Sequence, residues 1–252
     1  EGAYHADRVT AEEIREYLNV YGGKLKDFVC DTGLYLNEAI AAGKKVMFEA
    51  QLGALRDIDF GIYPYTSSSS TIAAYAPIGA GVPNHKLDCS IGIMKAYSTC
   101  VGEGPFTCEM FGDEAEQLRR AGNEYGAATG RPRRVGGFDV VASRYGVRMQ
   151  GADMIALTKM DVLSDLDRIP VCTAYERNGQ QLHEFPFSSI LDECKPVIEY
   201  LEGWKCDISK CRKPEDLPAA ALNYIRYLER AVGCKIKYVS VGAEREEYIV
   251  MD

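Results

Sequence analysis

The sequence predicts an α/β protein built on a mixed, mostly parallel sheet flanked by helices. The short apolar run 154–158 is bounded by turn residues, as a buried strand is, and 235–241 follows a helix-closing glycine as a second strand. Capped helical segments alternate with them, and that alternation implies helices layered on a sheet. The 252 residues, 46% of them hydrophobic, suffice for a full core, as one large domain or two small ones.

The elements follow in order along the chain. Thr10 before Ala-Glu-Glu reads as a helix cap, with Ile14, Leu18 and Tyr21 at helical spacing until Gly22-Gly23. A second helix is expected over about 25–42, closed by Gly43, and the apolar run 45–49 reads as a buried strand. Residues 57–70, with Gly61, Pro64 and the serines 67–70, read as loop. The buried segment 91–101 fits helix or strand, and 114–120 is helical. The stretch 126–137 is rich in Gly and Arg and lacks apolar periodicity, which predicts a loop outside the core. A helix over 138–149, a parallel strand over 154–158 and a hairpin over 171–187 turning at Asn178-Gly179 come next. The C-terminal subregion adds a helix over 215–232, closed by Gly233, before the last strand. With no repeat and no linker, 1–252 reads as a single region.

Composition narrows the function classes. With 29 Lys+Arg against 37 Asp+Glu the net charge is -8, so a nucleic-acid partner is not expected; the basic run 131–134 is short and has no interleaved aromatics. No stretch of 18 apolar residues suggests a membrane span. Nine cysteines without a CxxC pair favour reduced thiols and a cytoplasmic setting. The three histidines, His5, His85 and His183, are scattered and read as surface residues, and no zinc-ligand spacing is present.

Several segments could carry chemistry. Thr158-Lys-Met-Asp161 sits where an apolar strand ends, the edge at which open α/β sheets bind ligands. An Asp there can accept from guanine's N1–H and 2-amino group, although the same residues suit an exposed Lys-Asp pair. Ser240-Val-Gly242 closes a second strand and reads as a tight turn or as support for a base. Thr129, Arg131, Arg133 and Arg134 concentrate a hydroxyl and planar forks suited to carboxylate or phosphate oxygens. Gln51, Asp57, Asp59 and the hydroxyls 66–71 could serve a monophosphate or act as turn and cap residues.

The runs Val46-Met-Phe-Glu49, Asp57-Ile-Asp-Phe-Gly61, Tyr63-Pro-Tyr65, Lys95-Ala-Tyr-Ser-Thr99, Val101-Gly-Glu-Gly-Pro-Phe106, 126–134, Leu157-Thr-Lys-Met-Asp161 and Glu202-Gly-Trp-Lys205 together resemble the adenylosuccinate synthetase family in order and spacing. The resemblance covers nearly the whole chain. It implies a fold related to the P-loop nucleotide hydrolases and a GTP-dependent ligation of IMP and L-aspartate, with Mg²⁺ as cofactor and a homodimer as the assembly.

Carried over by position, it places Lys159 and Asp161 on guanine, with Ser240 and Gly242 alongside. Thr129, Arg131 and Arg133 would hold the aspartate carboxylates, with Arg131 also near IMP and Arg133 also near GTP. Ser67 and Val101 would meet the IMP phosphate and ribose, and Gln51 would add an amide, which the family carries one position later, where this chain has Leu52. The chain departs from the family at Ala50, Ala74, Cys100, Ala128, Gly137 and Ala243; tryptophan is common at the position of Gly137. The family's phosphate loop and its catalytic Asp and His are expected to precede the part present here, so this chain alone is expected to be inactive or nearly so. The alternative is a non-catalytic relative that binds purine nucleotide or a partner chain.

Overall fold

The structure is a computed structural model that describes residues 8–252, so His5 lies outside the described residues. Backbone contacts divide the described residues into two compact units, one formed by 8–48 and 77–85, the other by 49–76 and 86–252.

In the first unit, helix α1 (Ala11–Leu25) begins with a capping box: Thr10 Oγ1 accepts from Glu13 N at 3.2 Å, and Glu13 Oε2 accepts from Thr10 N at 2.7 Å. The helix continues through Gly22-Gly23 instead of stopping there. Glycine lowers helix stability by about 1 kcal/mol without ending a helix unless the backbone turns left-handed, and neither residue has a positive φ. The second helix, α2 (Thr32–Ala41), starts later than the spacing suggests, because Asp31 caps it by accepting from Leu34 N at 2.9 Å. Within the unit, Asn37 Nδ2 donates to Gly33 O at 2.8 Å and Gly81 O at 3.1 Å. The strand expected over 45–49 is absent: the segment is irregular and Met47 is 88% exposed. An apolar run becomes a strand only when a neighbour supplies the hydrogen-bond ladder, and no described residue pairs with this one. A short helix, α3, covers Ala76–Gly79.

The second unit holds two larger sheets and a two-stranded ribbon. The expected buried segment 91–101 splits into β1 (Ile91–Lys95) and β2 (Ser98–Cys100). Helix α4 (Gly112–Ala121) follows. The Gly/Arg stretch does not stay outside the core: Arg134–Gly136 forms β3, antiparallel to β2, and Val135 is fully buried. Phe138–Asp139 forms β4, so the next helix, α5 (Val140–Gln150), starts two residues late, with Asp139 as its cap. The remaining strands are β5 (Met154–Thr158), β6 (Arg168–Arg177), β7 (Gln180–Leu182), β8 (Lys195–Glu202), β9 (Ile236–Ser240) and β10 (Tyr248–Val250). Helix α6 (Ala219–Val232) precedes β9; Pro218 delays its start relative to the expected 215, because Pro214–Asp216 forms a separate 3₁₀ turn.

The first sheet has the order β1-β5-β9-β10, parallel except for β10. In the second, β4 pairs in parallel with β6, while β7 and β8 pair with β6 antiparallel. The expected hairpin is β6–β7, with Asn178 and Gly179 at φ 53° and 77°. The main core includes Ile155 and Leu157 of β5, Ile236 and Val239 of β9, Leu118 of α4, and Tyr224, Ile225 and Leu228 of α6. It holds the first sheet rigid, so its carboxyl edge is a firm platform.

Candidate functional site

Parallel pairing determines which residues leave the first sheet together. Lys95 is opposite Thr158, and Leu157 is opposite Val239. The residues after β1, β5 and β9 therefore emerge at one edge: Lys95, Lys159 and Asp161, and Ser240 to Gly242. Lys159 takes a left-handed conformation, φ 62°, which turns the chain sharply off the strand into the 3₁₀ turn Met160–Leu163. Met160, Val162 and Leu163 are buried beneath that turn, leaving Asp161 half-buried at the rim. Burial raises the Asp161 carboxyl above the usual range, against the pull of Lys159. Lys159 acts on it through charge alone, its ammonium bonding Gly122 O and Glu124, so among the described residues no side chain hydrogen-bonds the Asp161 carboxylate.

Ser240 and Gly242 make contacts within their own turn. Ser240 Oγ donates to Gly242 O at 2.9 Å, and the space that a side chain at Gly242 would fill is occupied by the Glu247 side chain. The close approach that this glycine permits is thus made by the chain itself.

The centre of the site is a residue that sequence reading missed. Glu124, just after α4, has its side chain fully buried and collects four donors. Oε1 accepts from Lys95 Nζ and Lys159 Nζ, each at 2.9 Å, and from the Tyr97 hydroxyl at 2.6 Å; Oε2 accepts from Arg133 Nη1 at 3.0 Å. Burial alone would raise the Glu124 carboxyl, but hydrogen bonds from Lys159, Tyr97 and Lys95 outweigh it and hold the pKa at about 2. Burial in turn lowers Lys95 and raises Tyr97. Three cations face one carboxylate, and their side chains remain 28%, 34% and 35% exposed for Lys95, Arg133 and Lys159. The cluster thus carries more positive than negative charge and stays partly open to solvent, which suits anionic ligand groups. Arg133 Nε is buried without a partner. A lone Glu between a helix and a basic loop carries no spacing signal, so nothing in the sequence marked it.

The arginine loop is closed by its own backbone. Gly130 N donates to Gly126 O at 2.7 Å, Gly126 N donates to Arg131 O at 2.9 Å, and Thr129 Oγ1 accepts from Arg131 N at 3.3 Å. Thr129 and Arg131 are exposed at its tip, while Arg133 turns inward to Glu124. Arg134 is structural: it donates to Glu109 Oε2 at 2.9 Å through Nε and to Gly104 O at 2.8 Å. The β2–β3 ladder ends with Cys100 opposite Arg134, so Val101 and Arg133 are the next residues along the two segments.

Arg56 joins Val101 to the serine loop. It donates to Tyr65 O at 2.5 Å and to Val101 O at 3.1 Å, while Ser67 N donates to Arg56 O at 2.8 Å. Ser67 and Val101 are therefore brought together by a residue that was not singled out. Gln51 is exposed in the irregular segment before Gly53, and none of its hydrogen bonds joins it to this group among the described residues. Asp57, by contrast, is a structural carboxylate, accepting from Thr71 N at 2.6 Å and from Asp59 N and Phe60 N.

A parallel sheet edge carrying a half-buried carboxylate, a buried Glu holding three cations and an exposed Thr/Arg loop places the chain among open α/β proteins, whose ligand edge lies at the carboxyl ends of the strands. Comparison with known proteins specifies the family. The family model described as adenylosuccinate synthetase matches residues 2–249, and the chain belongs to that family. Adenylosuccinate synthetase of Lactococcus lactis subsp. lactis (strain IL1403) is 45% identical over 99% of this chain and 58% of its own length. That of Syntrophotalea carbinolica is 48% identical over 96% of this chain and 56% of its own. Among solved structures, fully ligated adenylosuccinate synthetase from Plasmodium falciparum superimposes with a TM-score of 0.92 at 37% identity, covering 98% of this chain and 59% of that one. The fold is thus the P-loop-related α/β fold of that enzyme. The chain spans a little under three-fifths of the length of these relatives.

Proposed function

We propose that this chain forms the guanine- and carboxylate-recognising part of a GTP-dependent ligase that joins IMP to L-aspartate and yields adenylosuccinate. The observation that carries the reading is the Glu124 cluster, which holds Lys159 beside Asp161 at one side and Arg133 of the arginine loop at the other. Asp161 accepts from N1–H and the 2-amino group of guanine, a donor pair that adenine does not present. Ser240 and Gly242 support the base from the adjacent strand. Thr129, Arg131 and Arg133 hold the carboxylates of aspartate in bidentate fashion and steer its amine towards the purine. Ser67, Val101 and Gln51 position IMP.

In the ligation, IMP gives up its N1 proton to a base outside this chain and its 6-oxygen takes the γ-phosphoryl group of GTP, whose β–γ P–O bond breaks to release GDP. The amine of aspartate then attacks C6, phosphate leaves with the C–O bond electrons, and the amine loses its proton. Residues of this chain bind and orient; the cationic cluster offsets the charge of the assembled anions. Mg²⁺ would spread the charge of the transferred phosphoryl group. Among the described residues no three His, Cys, Asp or Glu side chains converge as a ligand set for it. A homodimer in the cytosol is the proposed assembly and setting.

The test is to supply the full-length gene product with GTP, IMP, L-aspartate and Mg²⁺ and follow adenylosuccinate by chromatography. Product that requires all three substrates supports the reading. Purine binding without product would favour a non-catalytic relative.

A further inference from the structure

The two carboxylate oxygens of Glu124 face different partners. Oε1 serves Lys159, which follows β5 next to Asp161, and Oε2 serves Arg133, which enters β3 from the substrate loop. One charge is therefore shared between the two ends of the site. Lys159 is further fixed by donating to Gly122 O at 2.6 Å, two residues before Glu124, so its placement depends on this short segment. Arg133 is held less completely, with its Nε buried and unpartnered. A ligand carboxylate that draws Arg133 outward weakens its claim on Glu124 and leaves more of that charge for Lys159.

We infer that Glu124 is a positioning residue that couples guanine-nucleotide binding at Lys159 to carboxylate binding at Arg133. The inference rests on the proposed function. Its consequence is that aspartate tightens guanine nucleotide, and that guanine nucleotide tightens aspartate by the same factor. The substrate loop thereby reports to the base site through one buried carboxylate, with no larger movement required.

The experiment uses the full-length gene product with IMP saturating. A non-hydrolysable GTP analogue is titrated with and without L-aspartate, on the unaltered protein and on Glu124→Gln. The unaltered protein should show tightening of about fivefold or more. The variant should bind the analogue more weakly, with aspartate changing its affinity by less than about twofold. A folded variant that keeps the full factor overturns the inference, as does an unaltered protein without coupling. Should Glu124→Gln not fold, a double-mutant cycle of Lys159→Met and Arg133→Met on analogue affinity decides: additive effects overturn it and non-additive effects support it. Absence of any analogue binding by the unaltered protein would instead sink the proposed function and the inference with it, an outcome distinct from binding without coupling.

Discussion

The hydroxyl of Tyr224, in α6, donates to the carbonyl oxygen of Ala96, immediately after β1, at 2.6 Å. Tyr224 is fully buried, and Ala96 N in turn donates to Thr158 O at 2.8 Å. This pair ties the helix behind the sheet to the point where Lys95 and Tyr97 leave it for Glu124. Tyr224→Phe keeps the ring but leaves a buried carbonyl without its donor. It should cost about 1–3 kcal/mol in chemical denaturation.

Acid should unlock the cation cluster at a definable pH. The Glu124 carboxyl falls from an ordinary 4.5 to about 2, so it stabilises the fold above pH 4.5 and that contribution is lost as pH falls towards 2. Denaturation midpoints measured across this range should drop more steeply for the unaltered protein than for Glu124→Gln.

Arg56 should matter to IMP without touching the base site. Arg56→Ala removes the bonds to Tyr65 O and Val101 O that hold the serine loop to Val101. Steady-state kinetics should show KM for IMP raised about tenfold, about 1.4 kcal/mol, with KM for GTP little changed.

The resemblance leads one to expect tryptophan at Gly137, yet a Cβ there would lie 2.5 Å from Pro170 O. The backbone of β6 has closed over the site, so Gly137→Trp should destabilise by about 1–3 kcal/mol, read as a lower thermal midpoint, instead of restoring a family feature.

Much of this was legible in the sequence, for reasons visible in particular residues. β5 is a continuous apolar run ending at Thr158, and parallel burial produces that pattern, so Lys159 and Asp161 were found at its end. The Asn178-Gly179 turn likewise declared its hairpin. What failed did so where the deciding partner is distant in sequence. Residues 45–49 have strand composition but no ladder neighbour, whereas Val135, inside an Arg-rich loop by composition, is captured as a strand by β2. Glu124 and Arg56 carry no motif; each becomes a hub only because several chain segments converge on it. Gly242 looked open to a ligand until Glu247, five residues on, folded back against it.

The central claim, that the carboxyl edge of β5 and β9 reads guanine through Asp161, is tested most directly by changing one atom pair. Asp161→Asn replaces an acceptor with an amide donor, which suits xanthine, whose C2 carries an oxygen in place of the amino group. Adenylosuccinate formation by the full-length protein should lose at least about tenfold in kcat/KM with GTP, while activity with XTP rises above that with GTP. A variant that still prefers GTP over XTP by the unaltered ratio would contradict the assignment of Asp161 to the base.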